Sequence, residues 1–394
     1  MRLLHVVPTY LPARRYGGPI VAVHGLCRAL AARGHDVEIY TTSIDGPSDS
    51  AVPHHEPVAL DGVTVHYFAS PCLRRLSYAP ALGRALRGVM AGFDVAHLHS
   101  VFLWPTWRAA CIAQAAKVPY VISPRGMLVK RLIASRSRWV KTAWIALIER
   151  ANLERAAAVH ATSEVERREL EQFGWKLRRM IVAPNAVEEV DESARNGAVS
   201  PDIATLCREQ PLVLFFGRLA RVKGLDRLLR AFARTERGIL AIVGTDYENL
   251  AAELLRVADA LAIRHRVRLL TRIVSGADKE HVFAAARVLV LPSYSESFGN
   301  TVVEALQRGI PAIVTPEVGA AEAVVQSGGG LLVDGAAAPL GAAIAELIDD
   351  PVRAAAMGEA GRHYVQRRYS WQTVAGQMEA LYQDLLCQDL RTAQ

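Results

Sequence analysis

The chain has 394 residues, more than one hydrophobic core usually organises, which predicts two domains of somewhat under about two hundred residues each. With 51% hydrophobic and 22% charged residues it reads as an ordered globular protein, and no run approaches the roughly twenty apolar residues of a transmembrane helix. The formal net charge of +7 predicts anionic partners without choosing among nucleic acid, phosphorylated ligands and acidic lipid.

From its start the chain alternates short β-rich apolar runs with helical patterns, as parallel sheets wrapped by helices do. The run at 3–7 is too short for a signal peptide and meets Pro8 and a polar loop, so it reads as a first strand. Further strands are expected at 37–41, 64–68, 95–99, 120–123, 159–162 and 181–183, with helices between them. The first helix, 19–33, opens on Pro19 and stops at Gly34. The five cysteines are odd in number, scattered and without a C-x-x-C pair, which argues against a disulfide framework or zinc site and fits a reducing cytoplasm. From 185 to 210 the pattern turns polar and irregular, through Glu188, Glu189, Asp191, Glu192, Asn196, Gly197 and Pro201, and marks a linker. A second series follows, with strands at 212–216, 240–243, 267–270, 288–291, 312–314 and 331–333 and helices at 225–234, 250–261 and 300–307. Beyond Pro351 the chain reads as helix only, with Trp371, Val374, Met378, Leu381, Leu385 and Leu386 on one apolar face.

In doubly wound sheets, ligands bind beyond the carboxyl ends of the strands, where loops lead into helix N-termini. After the first strand, Gly17-Gly18 permits close approach of backbone N–H groups to a phosphate or sugar, though a tight turn also explains the pair. The strand 212–216 runs into Gly217-Arg218 and on to Lys223-Gly224, two cations able to neutralise a diphosphate whose charge grows as it leaves. The most informative segment is Pro292 to Pro311. There a strand ends, a loop carries Glu296, and a helix start turns the amides of Ser297, Phe298, Gly299, Asn300 and Thr301 toward an anion. Glu304 follows eight residues after Glu296 about one turn into that helix, so both carboxylates can accept hydrogen bonds from sugar hydroxyls.

At these residues the sequence resembles the retaining GT-B glycosyltransferases, in particular family four, the group 1 hexosyltransferases. The resemblance rests on Gly17-Gly18, Asp94-Val-Ala-His97-Leu-His99, Pro184-Asn185, the G-R-L-x-x-x-K-G run and the E-x7-E motif, and covers nearly the whole chain. It implies that Arg218 and Lys223 hold the donor diphosphate and that Glu296 and the amides after it hold the transferred sugar. Glu304 would hold the ribose, and Gly17-Gly18 would face the acceptor and phosphates. Where many relatives carry a histidine near the reacting carbon, this chain has Arg125 within Ser123-Pro-Arg-Gly126-Met-Leu, a pattern similar to that of a subset of the family. Arginine cannot act as a base near neutral pH, which leaves it the donor or an acceptor phosphate to bind. Gly244-Thr-Asp246 also departs from relatives that have a further glycine there.

The resemblance implies two Rossmann-like doubly wound α/β domains facing a cleft: an acceptor-side domain over 1–185, a linker over 186–210, a nucleotide-sugar-binding domain over 211–370 and a bracing helix over 371–394. The expected activity is retaining transfer of a hexose from a UDP- or GDP-linked donor to a glycan or lipid-linked acceptor in polysaccharide or lipopolysaccharide assembly. A nucleotide-sugar epimerase or phosphorylase and a non-catalytic nucleotide-sugar-binding subunit are the alternatives. No cofactor beyond the nucleotide-sugar co-substrate is expected, and no nucleic acid. No metal is expected either, since there is no Asp-x-Asp pair; His97 and His99 share one side of a strand without a carboxylate or cysteine partner, and His99 is assigned to packing or the acceptor side. The basic stretch 125–150 (Arg125, Lys130, Arg131, Arg136, Arg138, Lys141, Arg150), with Leu132, Val140, Trp144, Leu147 and Ile148 at roughly helical spacing, fits either a helix docking on an anionic membrane or a packed helix with a solvated face. The expected location is the cytoplasm, with the inner face of its membrane as a docking surface open to it.

Overall fold

A computed structural model describes residues 1–13, 17–54, 56–135, 138–190, 193, 196–209 and 211–392. The chain divides into two compact units, Met1–Ala186 with Trp371–Gln394, and Val187–Ser370. The chain therefore leaves the first unit at Ala186 and re-enters it at Trp371.

The strands of the first unit are β1 (Arg2–Thr9), β2 (Asp36–Thr42), β3 (Ile44–Asp45), β4 (Ser48–Asp49), β5 (Val58–Leu60), β6 (Val63–Phe68), β7 (Val95–His99), β8 (Tyr120–Ser123), β9 (Ala158–Ala161) and β10 (Met180–Val182). Eight of them form one sheet in the order β10-β9-β8-β7-β1-β2-β6-β5, and β3 and β4 form a separate ribbon. All pairings in the large sheet are parallel except β5 with β6. That edge hairpin turns on Asp61 and Gly62, both at positive φ (50° and 82°), as the twist of a tight hairpin requires. The helix Gly18–Ala32 covers one face, and Trp371–Thr392 lies along it: a Cβ on Gly25 would stand 2.2 Å from the Trp371 ring, so only glycine admits this indole. The closing helix thus belongs to the first unit.

The second unit holds β11 (Leu212–Phe216), β12 (Ile239–Val243), β13 (Val267–Leu270), β14 (Ala286–Leu291), β15 (Ala312–Val314) and β16 (Gly330–Leu332), all parallel, in the order β13-β12-β11-β14-β15-β16. Its central strands are buried on both faces and correspondingly apolar throughout. Part of the polar stretch expected to link the domains is built into this unit. A helix over Pro201–Leu206 buries Ile203 and Leu206, and Ser200 and Asp202 are tied to Asp278 and Arg272. Proline at the first helical position and two apolar residues one turn apart account for it; Asp191 and Glu192 lie outside the described residues.

In each sheet the strand order reverses once, between β1 and β7 and between β11 and β14. Loops leaving the carboxyl ends of those strands diverge there, and the crevice between them is where such sheets bind ligands. No helix among the described residues is long and apolar enough to cross a membrane.

Candidate functional site

In the second unit the reversal point is flanked by the loop 217–224 after β11 and the loop 292–299 after β14. Two backbone contacts lock these exits together, and a third ties the exit of β11 to that of β12. A Cβ on Gly244 would fall 2.0 Å from the Gly217 carbonyl oxygen, and one on Gly224 2.1 Å from that of Pro292. Tyr294 N–H donates to the Val222 carbonyl over 2.8 Å. Glycine at 224, with φ 68°, is therefore required twice, for backbone conformation and for space.

On this frame Lys223 and Glu296 form an ion pair, Nζ to Oε2, with only 17% and 16% of their side chains exposed. Glu296 is pinned through its backbone, donating to the Glu317 carbonyl and accepting from Gly319 N–H. Gly299, at φ 96°, precedes the helix Asn300–Gln307 and, having no side chain, supplies no capping oxygen of its own to the positive end of that helix. A Cβ on Gly299 would stand 3.3 Å from the Glu296 Cγ, which places the carboxylate stem beside the helix start. Phe298 is buried at 3% exposure and anchors the loop, its carbonyl accepting from Ala320 N–H; Ser297 and Thr301 flank this turn on either side. Arg218 has no carboxylate partner among the described residues; its guanidinium lies 5.4 Å from the centre of the Tyr247 ring.

Glu304 is paired with Lys279, 3.0 Å away on the helix Gly276–Ala285, as Glu296 is with Lys223. Lys279 had no motif to announce it. Asp246, in the run that departs from a glycine-rich pattern, accepts from the N–H groups of Leu250 (2.7 Å) and Ala251 (2.9 Å) and so closes the start of the next helix.

In the first unit, Gly17 sits at φ 72° ahead of the helix Gly18–Ala32, with no side-chain cap. Across the reversal point, β7 presents His97 and His99, both fully buried, and β1 adds His5 in register beside His97. Their hydrogen bonds fix every tautomer. Arg125 can only donate, so His99 Nδ1 accepts from it (3.2 Å) and His99 Nε2–H donates to His5 Nδ1 (3.0 Å). The Ala183 carbonyl can only accept, so His160 Nε2–H donates to it (2.8 Å) and His160 Nδ1 accepts from the Ser123 hydroxyl (2.7 Å). Ser123 in turn accepts from His97 Nε2–H (2.7 Å), and His97 Nδ1 from the Tyr382 hydroxyl (2.7 Å). Burial, followed by the Arg125 charge, holds His5 and His160 down at about 3; burial first, then neighbouring rings and Arg125, holds His97 and His99 well below their ordinary range.

Ring nitrogens of His5, His97 and His99 lie within 4.8 Å of one another, close enough in principle for a cation. The contacts argue otherwise. Only His5 Nε2 lacks a hydrogen-bond partner, and a guanidinium stands against His99. The cluster is built to orient Arg125, whose other terminal nitrogen donates to Asn185 Oδ1 (2.7 Å). Arg125 has a left-handed backbone, φ 56°, strained for a residue with a side chain. Glu166 holds that turn: its buried carboxylate accepts from Gly126 N–H (2.6 Å) and from the N–H and hydroxyl of Thr162 (both 2.7 Å).

The basic stretch forms helices at Lys130–Ser135 and Arg138–Trp144, a wider π turn at Ile145–Glu149 and a further helix at Arg150–Arg155; Arg136 lies outside the described residues. The extra residue of the π turn shifts the phase of the pattern. Trp144 turns inward to donate to the buried Glu149, whose pKa burial raises, while Trp139 and Leu147 stand 80% and 79% exposed.

Residues 17–186 match the family described as a glycosyl transferase 4-like domain, and residues 202–364 match glycosyl transferases group 1. A glycogen synthase of Mycobacterium tuberculosis is 27% identical over 416 aligned residues, covering 97% of this chain and 94% of the relative. A D-inositol 3-phosphate glycosyltransferase of Pseudarthrobacter chlorophenolicus is 29% identical, covering 96% and 93%. Among solved structures, Anabaena HepE in complex with UDP and glucose superposes with a TM-score of 0.74 at 20% identity, covering 98% of this chain and 100% of that one.

Proposed function

Given that this chain is a glycosyltransferase of the GT-B type, belonging to the group 1 family, we propose that it moves a hexose from a UDP- or GDP-linked donor to a glycan or lipid-linked acceptor, with the anomeric configuration retained. The observation that carries this reading is the half-buried Lys223–Glu296 pair beside the start of the helix Asn300–Gln307. A diphosphate entering the site competes for Lys223, and a sugar supplies hydroxyl donors for Glu296. Lys223, Arg218 and the helix end then stabilise the charge that builds on the leaving phosphate without rearranging first. Glu304, held by Lys279, is assigned to the ribose. The acceptor hydroxyl attacks from the face the diphosphate leaves. The hydroxyl proton passes to the departing diphosphate oxygen on the same face, these side chains manage the charge, and the mechanism calls for neither a metal nor a cofactor beyond the nucleotide sugar. The experiment is binding of UDP- and GDP-hexoses to the metal-free protein, with α-linked product from an α-linked donor as the expected configuration.

The same reading places the acceptor in polysaccharide or lipopolysaccharide assembly, on the cytoplasmic side of a membrane. Trp139 and Leu147 are exposed in the same stretch of chain as the exposed Lys130, Arg131 and Arg150, the combination of apolar anchors and cations that membrane docking uses. Flotation with anionic vesicles is expected, and the double variant W139A/L147A is expected to weaken it at least about tenfold, from the apolar burial of two large side chains. Equal flotation with neutral and anionic vesicles, or none with either, contradicts membrane docking.

A further inference from the structure

Resting on the reading of the chain as a transferase, we propose that Arg125 and Asn185 receive an anionic group, a phosphate or a carboxylate, carried by one of the two substrates. The Arg125 guanidinium donates to Asn185 Oδ1 and His99 Nδ1, both neutral, and its Nε is enclosed with no partner at all. No carboxylate among the described residues pairs with it. The acid that acts on it through space, Glu166, spends both oxygens on Gly126 and Thr162.

Beyond Glu166, the rings around the guanidinium offer no counter-charge. His5, His97, His99 and His160 are buried and kept neutral, partly by Arg125 itself, and protonating any of them would add a like charge. Burial also lowers the pKa of the guanidinium. A cation taken from water without an ion pair is costly, and proteins accept that cost mainly where a ligand relieves it. The strained backbone at Arg125 and the hydrogen bonds that run from its guanidinium to His99 and on to His5 hold this side chain in one place. It stands at the carboxyl end of β8, two strands from the reversal point, on the same edge of the sheet as Gly17-Gly18. A planar guanidinium matches the two oxygens of a carboxylate or phosphate.

The charged group has two possible carriers, and matched pairs of probes separate them. Affinities of the full-length protein are measured for inositol phosphate against inositol, and for UDP-glucuronate against UDP-glucose. One pair is expected to show a preference of about tenfold or more for its charged member, removed by Arg125→Gln and partly kept by Arg125→Lys, as charge-assisted hydrogen bonds warrant. The inositol pair assigns the anion to the acceptor and the uronate pair to the donor. Equal binding within both pairs, or a preference that survives Arg125→Gln, overturns the proposal. Should Arg125→Gln fail to fold, hydrogen exchange on the wild-type protein decides: backbone amides over 123–128 gain protection with the charged probe and not with its neutral counterpart, and equal protection by both overturns it. A wild-type protein that binds neither UDP nor GDP would instead count against the transferase reading, so the two failures are distinct.

Discussion

Lys223→Ala is expected to lower turnover by about 100- to 1,000-fold, the loss typical of removing one preorganised group that stabilises developing negative charge. The argument is geometric. Lys223 sits at the end of a one-turn helix, Arg221–Lys223, whose position is set by the Gly224 contact with Pro292 and by the hydrogen bond from Tyr294, so its ammonium is delivered to one place. It is paired with Glu296 when no substrate is bound, which keeps both side chains ordered at little cost and lets each exchange its partner for a substrate group. The alanine variant leaves Glu296 without that partner but still 16% exposed, so folding should survive; Lys223→Arg should recover part of the activity because it keeps the charge. A folded Lys223→Ala enzyme within about threefold of wild-type turnover is far outside the effect expected of such a group and would remove lysine from the mechanism.

Glu166→Ala should destabilise the first unit by about 3 kcal/mol or more, because one buried carboxylate satisfies two backbone N–H groups and a hydroxyl that water cannot reach. For a domain of this size that corresponds to a fall in Tm of roughly 6–12 °C. The variant also frees the Arg125 turn, so any substrate selectivity that depends on Arg125 should weaken with it. Glu166→Gln, which keeps one oxygen but turns an amide donor toward a donor, should lie between. Calorimetry that separates the transitions of the two units reads this directly; a first-unit Tm within about 1 °C of wild type is too small for three lost hydrogen bonds and would mean that they are dispensable.

Much of this was legible in the sequence where the physics is local. The apolar runs at 212–216 and 312–314 coincide with β11 and β15, because strands buried on both faces have little choice of composition. The Asp61-Gly62 pair that turns the β5–β6 hairpin is also a local signal, and it puts one antiparallel strand at the edge of a sheet expected to be parallel. What could not be read was register between distant strands. His5 and His97 are neighbours only because β1 pairs with β7 in one alignment, and a one-residue slip would turn them to opposite faces. Glu166 looked like one acid in a charged helix, and Lys279 like a surface lysine; their roles follow from the turns and helices that meet them. The π turn at Ile145–Glu149 is a further case: Trp144 just before it turns inward while Leu147 within it is exposed, a split that a fixed helical period does not anticipate.

The central claim is that the loops after β11 and β14 hold the diphosphate of a nucleotide sugar. Thermal unfolding of the full-length protein in EDTA, with UDP, GDP and ADP and their hexose conjugates, tests it most directly. Binding to the folded state alone at a hundredfold excess over Kd stabilises by about 2.7 kcal/mol, which should raise the Tm of the second unit by roughly 5–10 °C. The account predicts such a rise with UDP or GDP and its conjugates, sharply reduced in Lys223→Ala. An unchanged Tm with every nucleoside diphosphate would contradict it.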